Sequence, residues 1–271
     1  MVMFKLLQQK ADGIRQETLK LHLLCPETRI ASSLSCIEIL TVLYYGKIVK
    51  FDSKNIFAED RDRFIISKGH GSIGMYPILA DLGFFDKNEL QKIGKEGSFL
   101  GGIPDPIIPG YETINGSLGN GLGVACGLAL ALKQKKLTSK VFVLVGDGEL
   151  NEGSIWEAVM FASHHKLDNL ILIIDNNKAS MLDFCRNIIN LEPLEEKFKV
   201  FNWEVFRVEG HNCQKLYKLF VKVKNSHDDK SKVIIADTIK GKGVPRLEND
   251  PLSHIKTLKK DEVELLLKGS E

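Results

Sequence analysis

The chain lacks any apolar run approaching the length of a bilayer crossing, which excludes a helical membrane span. Its five cysteines (Cys25, Cys36, Cys126, Cys185 and Cys213) include no C-x-x-C pair, which argues against both a zinc site and a disulfide framework. An odd set of unpatterned thiols suits a reducing compartment. Excess charge is also missing: 37 basic and 35 acidic residues leave a formal net charge of +2. Lysines are frequent after Lys215, but acids are interspersed and no basic run has the density of a nucleic-acid-binding arm. The opening Met1-Val2-Met3-Phe4-Lys5 has no basic region followed by an apolar core, so no secretory signal is expected. These absences predict a cytoplasmic protein that acts on small molecules, with neither nucleic acid nor membrane as partner.

What is present is an ordinary globular composition, 44% hydrophobic and 27% charged over 271 residues, sufficient for one large core. Helical periodicity covers residues 4–24 (Leu6, Leu7, Ile14, Leu21) and stops at Pro26. A second helix is expected over Cys36–Tyr45, a first strand over Arg63–Ser67, and a helix over Met75–Leu82. Residues 94–117 are rich in Gly and Pro, and a loop that long inside a compact domain is usually functional. Beyond it a helix over 118–135, a strand over 141–145, a helix over 153–166 and a strand over 170–175 alternate. Phe201–Val208, a helix, and Val233–Thr238 continue the pattern. Alternation of this kind predicts an α/β fold, a mostly parallel sheet with helices on both faces, in a single domain over residues 1–271. Trp156 and Phe161, on one predicted helix, read as core.

The most informative local feature is Gly146-Asp147-Gly148 at the end of one apolar run, with Asn176-Asn177 closing the next. A hard cation such as Mg²⁺ takes oxygen ligands in octahedral array, commonly a carboxylate or two with phosphate oxygens and water. Asp147 and Asn177 would offer two such oxygens from the carboxyl ends of neighbouring parallel strands, where open α/β sheets gather their ligands. The flanking glycines let the chain turn sharply and a phosphate come close. Alone, the triplet reads as a tight turn; paired with the two asparagines it reads as a metal and diphosphate site.

Several segments in order then resemble the diphosphate-binding half of the transketolase family of thiamine-diphosphate enzymes. They are Asp62-Arg63-Phe64 with Ser67-Lys68-Gly69-His70, Gly116-Ser117-Leu118-Gly119-Asn120-Gly121-Leu122, and Gly146-Asp147-Gly148-Glu149-Leu150-Asn151-Glu152-Gly153. Lys166-Leu167-Asp168-Asn169-Leu170, Val208-Glu209-Gly210-His211 and Lys240-Gly241-Lys242-Gly243-Val244 extend the likeness to about His254. The resemblance implies a thiamine-diphosphate-binding (PP) fold, thiamine diphosphate and Mg²⁺ as cofactors, and transfer of a two-carbon unit between a ketose or 2-oxoacid donor and an aldehyde or ketone acceptor. It implies Asp147, Asn177 and the carbonyl of Ala179 as metal ligands. His70, Gly116, Leu118, Gly146, Gly148, Glu152, Lys242 and His254 would accompany Asp147 and Asn177 around the cofactor. Glu152 also has a plain reading as an acid favouring a helix N-terminus, and His70 a plain reading as a turn histidine. His211 reads as structural. His70 and His254 are the implied catalytic pair, assisting proton transfers or stabilising a developing alkoxide.

Two positions depart from the family. Arg29, in Thr28-Arg29-Ile30-Ala31-Ser32-Ser33-Leu34-Ser35, and Ile103, in Gly102-Ile103-Pro104, stand where the family carries histidines that meet substrate hydroxyls. Ile103 cannot hydrogen-bond, and an apolar wall there would favour a methyl-bearing donor such as pyruvate; Arg29 suits a carboxylate or phosphate, and reads equally as a surface residue in a shifted loop. The pyrimidine-binding and C-terminal domains of the family have no counterpart here. The resemblance therefore implies a partner chain that carries the activating glutamate, a heterotetramer, and no activity alone. A 2-oxoacid decarboxylase or acetyl-transferring subunit and a non-catalytic cofactor-binding subunit remain as alternatives.

Overall fold

Five short apolar segments form the sheet: β1 (Arg63–Ile66), β2 (Val141–Gly146), β3 (Leu170–Asn176), β4 (Glu204–Glu209) and β5 (Lys232–Asp237). The structure, a computed structural model, describes residues 2–226 and 228–269. All pairings are parallel and the spatial order is β1-β2-β3-β5-β4. The central strands are buried along their length, which explains why β2 and β3 read as continuous apolar runs rather than alternating ones.

Because successive side chains point to opposite faces, each strand feeds two cores. Phe142, Leu144, Ile171, Ile173 and Ile234 join a core with α1 (Val2–Leu24), α2 (Ile30–Leu34), α3 (Ile37–Tyr45), α4 (Tyr76–Asp81) and α9 (Cys213–Lys224). Val141, Val143, Val145, Leu172 and Ile174 join the other, with α5 (Gly121–Gln134), α6 (Gly153–His164) and α8 (Leu194–Val200). Fully burying one such aliphatic side chain contributes about 1.5–3 kcal/mol. The predicted α/β sheet covered on both faces is thus the observed one.

The boundaries differ in instructive places. The helix predicted from 118 begins at Gly121, because Gly119 adopts a left-handed φ of 85° and residues 117–120 form a turn. A 3₁₀ turn over Gly69–Gly74 precedes α4, so the histidine segment is tightly coiled rather than extended. The stretch after β3 contains a single helical turn, α7 (Cys185–Ile188). Phe161 is 40% exposed and stacks on His165 with ring centroids 4.3 Å apart, so it is not core. It follows Trp156 by five positions, a rotation of about 140° on a helix, which carries it away from the buried stripe. Trp156 packs against Phe198 and Phe201 as expected of a core residue.

The late chain is fastened to the early chain. α10 (Lys260–Lys268) packs on α1, with Val263 fully buried. His22, fully buried on α1, sits between Thr28 Oγ1 (2.8 Å from Nδ1) and the amide of Leu258 (3.1 Å from Nε2). Thr28 Oγ1 donates to the Cys25 carbonyl, so Nδ1 of His22 is the donor and Nε2 the acceptor. Burial pushes His22 down to about 4, in keeping with that neutral tautomer. His211 is likewise structural, joining Glu38 Oε2 (2.9 Å) to the amide of Ile239 (2.8 Å). All five thiols are free, and among the described residues no helix is long and apolar enough to cross a membrane.

Candidate active site

The register pairs Gly146 of β2 with Asp175 of β3, so the chain leaves both strands at one level on the carboxyl edge of the sheet. Four turns meet there. Lys68 and His70 follow β1, residues 146–149 follow β2, residues 177–181 follow β3, and Lys240 follows β5. With Ser32, Gly116, Leu118 and His254 they line one cavity of about 230 Å³. A neighbouring cavity of about 220 Å³ shares Asp147 as a wall but is floored by Phe184, Leu191 and Leu194 and lacks the histidines.

Asp147 is buried, and its oxygens accept from the amides of Gly148 (2.8 Å) and Lys178. Burial, and then the nearby Asp175 charge, push its carboxyl up to about 6. Asn177 Oδ1 accepts from the amide of Ala179 at 3.1 Å, while its Nδ2 donates to Asp175 at 3.1 Å. The carbonyls of Ala179 and Ser180 both accept from Lys240 Nζ at 2.9 Å. A carboxylate, an amide oxygen and a carbonyl therefore border one cavity, a donor set that suits a hard cation. The raised Asp147 fits too, since a cation would relieve a carboxylate held away from water. Among the described residues no cluster of His, Cys, Asp and Glu offers an alternative metal centre.

The opposite wall is cationic. Lys68 is fully buried, its Nζ paired with Asp175 and donating to Ser32 O (2.9 Å) and Ser35 Oγ (3.2 Å). Lys240 is pushed down to about 8, first by burial and then by Lys68. His70 and His254 face each other with ring centroids 4.8 Å apart, and His254 Nδ1 lies 3.4 Å from Ser32 Oγ. Burial followed by Lys68 holds His70 well below its ordinary value; burial followed by Lys240 and Arg29 pushes His254 down to about 3. Both rings are neutral near pH 7, each with one donor and one acceptor nitrogen.

Not every residue expected at the site is brought to it. Gly116, Leu118, Gly146, Asp147, Gly148, Asn177, Ala179, His70 and His254 all line the cavity. Lys242 does not: the left-handed turn at Gly241 (φ 75°) sends Lys240 inward, while Lys242 faces Glu248 at 3.5 Å. Glu152 is exposed at the N-cap of α6, makes no capping bond, and stands outside the cavity. Ile103 is 49% exposed and also outside, so within this chain it forms no wall against which a donor could rest. Arg29 is half-buried beyond His254, one helical turn before Ser32.

Sequence reasoning missed Lys68, Glu149, Asp175 and Lys240. Glu149 is buried, and its carboxylate accepts from Ser67 Oγ and from the amides of Gly119 (2.9 Å) and Gly146 (3.2 Å). One acid thus fastens the ends of β1 and β2 to the glycine turn before α5. The available signal was its place directly after the Gly-Asp-Gly turn.

Residues 30–269 match the family described as transketolase, thiamine diphosphate binding domain. The chain is 39% identical to an apulose-4-phosphate transketolase subunit of Actinobacillus succinogenes, over 96% of this chain and 94% of that one. It is 36% identical to a 6-deoxy-6-sulfo-D-fructose transketolase subunit of a Clostridium species, over 92% and 90%. Human transketolase is 34% identical over 96% of this chain but only 42% of its own. The crystal structure of transketolase from Campylobacter jejuni superposes with a TM-score of 0.91 at 30% identity, covering 98% of this chain and 43% of that one. The chain thus spans about two fifths of the length of the single-chain proteins.

Proposed function

The chain belongs to the transketolase family, as its thiamine-diphosphate-binding domain, and on that premise we propose that it is the cofactor-binding subunit of a two-subunit transketolase. The observation that carries this reading is one of length. The chain covers nearly all of two relatives named as transketolase subunits, and under half of the single-chain enzymes. That those relatives are named as subunits supports a partner that supplies what the longer enzymes carry beyond this domain.

The surface around the cavity supports the same reading. Ile114, Met181, Leu182, Leu252 and Ile255 are exposed, and each is within two positions of a cavity-lining residue or is one itself. Apolar side chains gathered around a polar site are expected where a second polypeptide covers it. A C-terminal transketolase-like subunit carrying the activating glutamate is the proposed cover, with two such pairs forming a heterotetramer.

In this reading Asp147, Asn177 and the Ala179 carbonyl hold Mg²⁺, and Lys240 with the amide of Gly148 faces the diphosphate. When bound, thiamine diphosphate supplies carbanion stabilisation for the two-carbon unit. The protein's contribution is orientation and proton handling. His70 and His254 present neutral imidazoles whose basicity is suppressed partly by nearby cations. Burial is the larger cause of that suppression, so both rings serve as neutral hydrogen-bonding partners, each with one donor and one acceptor nitrogen. With Ile103 outside the cavity, the apolar wall that would favour pyruvate is not formed by this chain, and a ketose donor is the reading carried forward.

The test is single-turnover consumption of xylulose 5-phosphate by this chain mixed with a candidate partner, thiamine diphosphate and Mg²⁺. Turnover is expected only in the mixture. Turnover by this chain alone, or cofactor binding to the mixture with no consumption of any ketose, would overturn the proposal.

A further inference from the structure

Arg29, close in sequence to the cavity-lining Ser32, is a cation without an anionic partner among the described residues. Lys68 is paired with Asp175, Lys240 is held by two carbonyls, and Arg15 on α1 is paired with Glu38. The Arg29 guanidinium has neither a carboxylate nor a hydrogen-bond partner among the described residues. Its backbone, by contrast, is fixed. The Arg29 carbonyl accepts from the amides of Ser32 (3.1 Å) and Ser33 (3.3 Å), and the preceding Thr28 is clamped between His22 and the Cys25 carbonyl. A rigid base with an unpaired planar cation is a pre-organised anion site.

Its position separates it from the cofactor's anion. The cavity-lining cations Lys68 and Lys240 are buried beside Asp175, Asp147 and the metal turn, and Arg29 is not among the residues that line that cavity. It is half-buried at the N-cap of α2, three residues before Ser32, whose hydroxyl lies 3.4 Å from His254 Nδ1. Its charge reaches His254, as the lowered basicity of that ring shows.

We propose that Arg29 is a specificity-determining residue that takes the oxyanion of an anionic ketose substrate, a phosphate ester or a sulfonate, as the substrate enters beside His254. The inference rests on the transketolase reading above. Two relatives whose names specify a phosphorylated and a sulfonated sugar agree with it in substrate charge. The guanidinium fork matches either oxyanion through paired charge-assisted hydrogen bonds.

The experiment uses the reconstituted two-subunit enzyme with thiamine diphosphate and Mg²⁺, comparing the native chain with Arg29→Met and Arg29→Lys. Donors are xylulose 5-phosphate, a 6-sulfonated ketose, and uncharged erythrulose. Loss of a charge-assisted hydrogen-bond pair corresponds to roughly a 10- to 100-fold rise in KM. That rise is expected for a charged donor in Arg29→Met, with less than about a threefold change for erythrulose and partial recovery in Arg29→Lys. A rise confined to the phosphate or to the sulfonate identifies which oxyanion is read. Equal changes for charged and uncharged donors, or none, overturn the assignment. Calorimetric binding of xylulose 5-phosphate to the assembled protein gives a readout independent of turnover. If the native enzyme turns over no donor, the transketolase reading fails. Arg29 is then judged on whether that binding is lost in Arg29→Met.

Discussion

Replacing Asp175 with Asn should unfold this protein far more readily than any surface change, and the reason lies in one buried ion pair. Lys68 and Asp175 are 1% and 0% exposed, and Asp175 also accepts from Ser35, Thr238 and Asn177. Removing one partner leaves the other charge desolvated, at a cost of about 3–5 kcal/mol. At roughly 2–4 °C per kcal/mol, Asp175→Asn and Lys68→Met should each lower Tm by roughly 6–20 °C. The double variant strands no charge, so its cost should resemble a single variant rather than the sum, a coupling of about 3 kcal/mol. Urea unfolding of the four proteins at pH 7 measures this directly. The pH dependence follows from the two shifts. Burial alone would raise Asp175, but the Lys68 charge and the hydrogen-bond donors around it lower it overall; burial alone would lower Lys68, but Asp175 raises it overall. The pair therefore stabilises fully between the unfolded values of about 3.9 and about 10.4. That contribution is lost as pH falls through the folded Asp175 value or rises through the folded Lys68 value. Additive single costs, or a cost below about 1 kcal/mol for Asp175→Asn, would refute the reasoning.

Further outcomes follow from the site and its supports. Lys240→Met should weaken thiamine diphosphate binding roughly 10- to 100-fold, whereas Lys242→Met should change it less than about threefold; cofactor titration by fluorescence quenching distinguishes them, and the reverse order would return Lys242 to the site. Because Asp147 holds a proton below about 6, Mg²⁺-dependent cofactor binding should weaken about tenfold per pH unit below that point. An affinity that is flat from pH 7 to pH 5 would contradict this. His22, held neutral with a folded value of about 4, makes the folded state bind fewer protons than the unfolded chain below about pH 6.5. Stability should accordingly fall by up to about 2 kcal/mol between pH 6.5 and pH 5, and His22→Asn should flatten that slope in urea midpoints measured at pH 7 and pH 5.

The sheet and the Gly146-Asp147-Gly148 turn were legible because both are written locally. Unbroken apolar runs specify buried parallel strands, and Gly146-Asp147-Gly148 with Asn177 places oxygen donors at strand ends whatever surrounds them. What escaped depends on the third dimension. Lys240 and Lys242 are separated by one glycine, and only the left-handed turn at Gly241 decides which of them points inward. The pairing of Lys68 with Asp175 needs β1 and β3, which are separated in the sheet by β2, so nothing local announces it. Phe161 was misplaced by treating a five-residue step as helical spacing. Ile103 belongs to a glycine- and proline-rich loop whose path no periodicity encodes.

The fastening of the late chain to the early one has a consequence for anyone who handles this protein. His254 follows the fully buried Ser253 and precedes Leu258, which is tied to His22. Beyond Leu258 the next anchor is Val263 of α10, packed over α1. Changes to α1 or α10 are therefore expected to reach His254 through the Leu258 tie, without altering a residue that lines the cavity.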